Sequence, residues 1–138
     1  MAGPQEKGSS VMLRMVRGSS AGPVTGHRDR AWVEINMAHL RHNVKALQEV
    51  LPAGCEMMAV VKANAYGHGD VPVCLCLNKA GVHTFAVATA DEGIRLRRKG
   101  VKGTILVLGY TPAERIRALY RYRLSQTVAD MEHATELD

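Results

Sequence analysis

Four times between Met57 and Leu137 a short apolar run is followed by a turn, a helix cap and an amphipathic segment. The runs are Met57 to Val61, Thr84 to Ala88, Thr104 to Leu108 and Leu124 to Val128. The first three are nearly continuous in apolar residues, without the in-and-out alternation of a half-exposed strand, and so read as strands buried on both faces, as parallel strands are, while Leu124 to Val128, apolar only at its ends, makes a fourth strand. The segments between them carry helix punctuation. Asp70 to Ala80 has Pro72 in its first turn and Gly81 after its end. Thr89-Ala90-Asp91-Glu92 is a capping box that opens a helix ending in Arg97, Arg98, Lys99 and Gly100, whose cations suit a helix C-terminus. Thr111-Pro112-Ala113-Glu114 reads as a second capping box, with Ile116, Leu119 and Tyr120 as the buried stripe, and Met131 to Leu137 begins a last helix. Such alternation implies an α/β fold with a parallel sheet and right-handed crossovers. Periodicity leaves two architectures open, a small doubly wound sheet and half of a (β/α)8 barrel, since a whole barrel needs roughly 250 residues.

Ahead of the first unit, Ala31, Val33 and Ile35 alternate with Trp32 and Glu34, the pattern of a half-exposed strand. Asn36 then caps a helix in which Met37, Leu40, Val44, Leu47 and Leu51 recur every three or four residues until Pro52 and Gly54. His39 and His42 fall on its polar side and read as solvated, not as a metal pair. Residues 1–29 are rich in Gly and Ser, lack either periodicity and are expected to form a disordered basic tail, leaving 30–138 as the folded domain. Of the net charge of +5, residues 1–30 carry +3 and the rest +2. No basic stripe with interleaved aromatics follows from that, so no nucleic-acid partner is expected. Cys55, Cys74 and Cys76 are odd in number and lack the spacing of a zinc site; buried thiols in a reducing compartment are the expectation. No apolar run reaches membrane-spanning length, and Val11 to Val16 is interrupted by Arg14, so the cytoplasm is the expected location.

The candidate chemistry sits at the end of the first of the four runs. Lys62 follows Met57 to Val61 directly, and in α/β folds the C-terminal ends of strands form the ligand crevice. A lysine half sheltered there is partly desolvated, which favours the neutral amine that forms a Schiff base. Gly67 and Gly69 do not make a Walker-type phosphate loop, because no Lys and Ser or Thr follow them as that loop requires.

As a run, Ala59-Val60-Val61-Lys62-Ala63-Asn64-Ala65-Tyr66-Gly67-His68-Gly69 resembles the pyridoxal-phosphate attachment segment of the alanine racemase family. The resemblance continues through Ala86-Val87-Ala88-Thr89, Glu92-Gly93 and Ile105-Leu106-Val107-Leu108-Gly109, and covers most of the chain from about Arg30. It implies pyridoxal 5'-phosphate as cofactor, Lys62 as its covalent anchor and one of two catalytic bases, and Tyr66 as a hydrogen-bond donor to the phosphate. Val60 and Leu108 match positions that line the cofactor pocket, although plain core packing would also explain them. The fold it implies is the N-terminal half of a (β/α)8 TIM-type barrel with four βα units, preceded by one strand of a β domain absent from this sequence.

The implied reaction interconverts L- and D-alanine for peptidoglycan precursors, in a homodimer whose second base and pyridine-nitrogen partner lie outside this chain. Inactivity of the chain alone is therefore expected. Pro52 to Met58 and Leu108 to Pro112 look like the serine/alanine racemase branch linked to glycopeptide resistance, which leaves serine open as substrate. A non-catalytic pyridoxal-phosphate-binding barrel is the further alternative, against which the Tyr66 to Gly69 continuation weighs.

Overall fold

The computed structural model describes residues 12–15 and 33–138. In chain order the elements are β1 (Met12–Met15), β2 (Val33–Asn36), α1 (Met37–Glu49), β3 (Met58–Val60), α2 (Lys62–Tyr66), α3 (Asp70–Lys79), β4 (Thr84–Val87), α4 (Ala90–Arg98), β5 (Thr104–Val107), a 3-10 turn (Ala113–Arg115), α5 (Ile116–Arg121), β6 (Ser125–Gln126) and α6 (Met131–Leu137). Most of the expected tail, and Arg30 to Trp32 of the first expected strand, lie outside the described residues. Met12–Met15, which carried no strand signal, pair antiparallel with β2, Leu13 opposite Ile35.

The four apolar runs form one parallel sheet in the order β3-β4-β5-β6. Each strand pairs with the next one in the chain, so the sheet has no reversal of order, the feature that marks a doubly wound fold. Consecutive parallel strands linked by helices are the arrangement of a (β/α)8 barrel. The strands are one to three residues shorter than the apolar runs, but the ladder continues past their ends: Val61 N–H donates to the Ala86 carbonyl at 2.8 Å and Leu108 N–H to that of Val87 at 2.9 Å.

Register separates the two faces of the sheet. Ala59, Phe85 and Ile105 share one row and Val87 and Val107 another on the helix-covered side, where Phe85, Val87, Ile105 and Val107 are wholly buried. Against them pack Val73, Cys74 and Leu77 of α3, Leu96 of α4 and Leu119 of α5. The opposite face carries Met58, Thr84 and Thr104 in one row and Val60, Ala86, Leu106 and Ser125 in the next. There Met58 is 43% and Val60 44% exposed. In a closed barrel that side is the interior.

Most caps read from the sequence form. The Asn36 side chain accepts from Ala38 and His39 N–H at 2.9 and 3.1 Å, and Thr89 and Glu92 make a complete capping box. The second box does not form. Pro112 takes the cap position of a 3-10 turn and has no side-chain acceptor, while Thr111 is buried. The Thr111 carbonyl instead receives the Nε2–H of buried His133 at 3.1 Å, a tautomer fixed by Ala129 N–H donating to Nδ1. Three residues expected in buried stripes are exposed. Leu47 (55%) and Leu51 flank an open apolar groove along the unpaired edge of β3, and Tyr120 lies one position past buried Leu119 on the six-residue α5, turned to solvent.

Gly103, at φ +93°, carries the chain into β5 so close to His83 that a Cβ would lie 1.9 Å from its carbonyl oxygen. Gly100, at φ +86°, faces open space. Gly103→Ala should therefore cost at least about 3 kcal/mol in chemical denaturation, and Gly100→Ala only the about 1–2 kcal/mol of a left-handed L-residue.

Candidate active site

Lys62 leaves the C-terminal end of β3 on the parity of Met58 and Val60, and is half-buried. Among the described residues it forms no ion pair. The next four residues depart from every ordinary connection: Ala63, Asn64, Ala65 and Tyr66 have φ of +51°, +56°, +51° and +53°. With ψ of 45–49° at the first three, α2 is one turn of left-handed helix. Only Asn among these four is at ease in that region; each L-residue with an ordinary side chain gives up about 1–2 kcal/mol there.

Local hydrogen bonds hold the turn. The Asn64 carbonyl accepts from Gly67 and Gly69 N–H at 3.1 and 2.9 Å, and its side-chain Oδ1 accepts from Asp70 N–H at 3.1 Å, joining the turn to the start of α3. His68 N–H donates to the Ala65 carbonyl at 3.0 Å, and buried Ala65 seats the turn in the core. From the next unit, Glu92 Oε1 accepts from Ala63 N–H at 2.8 Å. The turn leaves Tyr66 61% exposed, its hydroxyl without a hydrogen bond among the described residues.

Val60 and Leu108 sit on the uncovered face, 44% and 41% exposed, the side that is the interior of a closed barrel. Val60 ends β3, Lys62 and Leu108 follow the ends of β3 and β5 on the same side of the sheet, and Tyr66 closes the turn after Lys62. A primary amine, a phenol hydroxyl and an apolar floor could hold an aromatic aldehyde bearing a phosphate, with the amine for the aldehyde, the hydroxyl for the phosphate and the aliphatic side chains for the ring.

Several contributors at this rim left no clear mark in the sequence. Gln126 Nε2 donates to the Gly109 and Thr127 carbonyls at 2.7 and 2.8 Å, joining the exits of β5 and β6, and its Oε1 is buried without a partner among the described residues. Below the rim, buried Asp70 takes an ion pair from Arg95, with the Arg95 Nε at 3.1 Å, linking α3 to α4. Asp91 pairs with Arg115, which holds its carboxyl below the usual value. No group of three or more His, Cys, Asp or Glu gathers in metal-binding fashion among the described residues.

The model of the alanine racemase N-terminal domain matches residues 35–138. The chain belongs to the alanine racemase family. It is 49% identical over 109 residues to an amino-acid racemase of Enterococcus faecalis, covering 79% of this chain and 15% of that protein. A serine/alanine racemase of Enterococcus gallinarum is 48% identical over 108 residues, 78% of this chain and 16% of that one. The crystal structure of alanine racemase from E. faecalis superposes with a TM-score of 0.72 at 39% identity, over 75% of this chain and 28% of that one. The fold is thus the N-terminal part of a racemase TIM barrel, and the chain spans less than a third of the length of these relatives.

Burial, and next the carboxylate of Asp70, push the Cys74 thiol up to about 12. Cys76 is buried and Cys55 exposed. A thiol reagent at neutral pH should modify Cys55 rapidly and the other two only at the rate of unfolding, as thiol counts with and without denaturant would show.

Proposed function

We propose that this chain is the lysine-bearing part of a pyridoxal-phosphate-dependent racemase interconverting L- and D-alanine. The observation that carries the reading is the placement of Lys62: a half-buried amine without an ion pair among the described residues, at the C-terminal end of the first barrel strand, followed by a turn that presents Tyr66. Membership of the family supplies the expectation of cofactor and reaction. Bound at this rim, pyridoxal phosphate would serve as the electron sink that lets the substrate Cα proton leave.

The chain's own residues have three tasks. Lys62 would hold the cofactor and would take or return the substrate Cα proton on one face. Tyr66 donates to the phosphate. Val60 and Leu108 support the ring and keep water from that face. Proton transfer on the opposite face needs a second base, which the family resemblance assigns to a tyrosine of a partner subunit, so the active form is proposed to be a homodimer of the whole protein. D-alanine made in this way would enter cell-wall precursors, and the site of action would be the cytoplasm; no helix among the described residues is long and apolar enough to cross a membrane.

Serine is a second substrate reading, favoured by the 48% identity to a serine/alanine racemase. Both reactions use the same Lys62 chemistry, and D-serine formation by the whole protein would separate them.

The test is attachment. After incubation with pyridoxal phosphate, borohydride reduction and peptide mapping should place the label on Lys62, and a label on Lys45, Lys79, Lys99 or Lys102 instead would refute the assignment. Tyr66→Phe should weaken retention by roughly 0.5–1.5 kcal/mol, more if the phosphate acceptor is charged. With added cofactor, this chain by itself should form no D-alanine from L-alanine above a Lys62→Ala control.

A further inference from the structure

Glu92 opens α4 as the acidic member of a capping box, yet its capping bonds are its weakest. Its N–H donates to Thr89 Oγ1 at 3.3 Å and its Oε2 accepts from Thr89 N–H at 3.4 Å. Its short bonds go elsewhere: Oε2 accepts from Ala88 N–H at 2.7 Å and Oε1 from Ala63 N–H at 2.8 Å. The two oxygens of one carboxylate therefore bridge the chain leaving β3 and the chain leaving β4. Ala63 is the first residue of the left-handed turn, and its N–H belongs to the peptide plane that joins it to Lys62. No other acceptor for that N–H is present among the described residues, so the carboxylate fixes the plane from which Lys62 departs.

We infer that Glu92 is a positioning residue for Lys62, its carboxylate clamping the left-handed turn between the first two barrel strands so that the amine stays aimed at the mouth. The inference rests on the proposed role of Lys62. Only a glutamate fits the task. A glutamine has a single acceptor and would set an NH2 donor against one of the two N–H groups, and an aspartate is one methylene short. Glu92 has no place in proton transfer itself.

The test compares Glu92→Gln with Thr89→Ala, which removes the capping hydroxyl and leaves the bond to Ala63. Amide hydrogen exchange reads the clamp without any cofactor. Glu92→Gln should speed exchange at Ala63 at least about tenfold, the loss of a hydrogen bond to a charged acceptor, whereas Thr89→Ala should leave it unchanged. With pyridoxal phosphate and borohydride, Glu92→Gln should raise the half-saturating concentration for labelling Lys62 by a similar factor, and Thr89→Ala should not. Adding Ala63→Gly to Glu92→Gln should recover part of the loss, because glycine adopts positive φ without strain. Equal effects of Glu92→Gln and Thr89→Ala, or an Ala63 amide as protected in Glu92→Gln as in the unaltered chain, would overturn the inference. So would failure of both Glu92→Gln chains to fold while Thr89→Ala folds, since Glu92 would then support the whole domain. An unaltered chain that takes no label on Lys62 would overturn the proposed function, while the exchange comparison would still decide the clamp.

Discussion

The left-handed turn after Lys62 is the constraint on which the site depends. Three of its residues, Ala63, Ala65 and Tyr66, carry ordinary side chains at positive φ, which together disfavour it by roughly 3–6 kcal/mol. That is a large share of the roughly 5–15 kcal/mol by which a domain is stable. Such a turn persists only where its surroundings over-determine it, and here they do. Ala65 is buried in the core, Asn64 supplies both a carbonyl and a side-chain acceptor, and Glu92 reaches across from the next unit. The result is geometric: a right-handed turn would wind the chain the opposite way as it leaves β3, whereas this one ends in an exposed Tyr66.

The sheet itself explains why the site lies on one side. Helices α3, α4 and α5 cover the face built from Phe85, Val87, Ile105 and Val107, and nothing among the described residues covers the face of Met58, Val60 and Leu108. Val60, Lys62 and Leu108 share that inward parity near the strand ends, and Tyr66 follows on the turn after Lys62. The uncovered face and the apolar groove along the unpaired edge of β3 are also where further barrel strands would fit, which agrees with the small share of its relatives that the chain spans.

Much of this was legible in the sequence. Four apolar runs gave four parallel strands in order, and Asn36 and Thr89 gave caps, because each signal depends on neighbours a few residues away. The misses share a cause in contacts distant along the chain. Leu47 and Leu51 keep helical periodicity but face a groove that nothing among the described residues fills, and Thr111 is buried, its carbonyl accepting from His133, 22 residues later, while Pro112 takes the cap position. Ala63-Asn64-Ala65-Tyr66 has the composition of a right-handed helix, so its handedness could not be read locally. Glu92 was visible as a capping residue; that one of its two short bonds crosses 29 positions to Ala63 was not.

The central claim is that the fold itself holds Lys62's exit in a left-handed turn. The most direct measurement replaces exposed Ala63 by its D-enantiomer through semisynthesis and compares unfolding midpoints. At φ +51° and ψ +49° a D-residue sits in its own preferred helical region. A left-handed turn predicts a more stable chain, by about 1–2 kcal/mol. A lower midpoint for the D-alanine chain would mean that the turn winds the ordinary way, and would contradict the account.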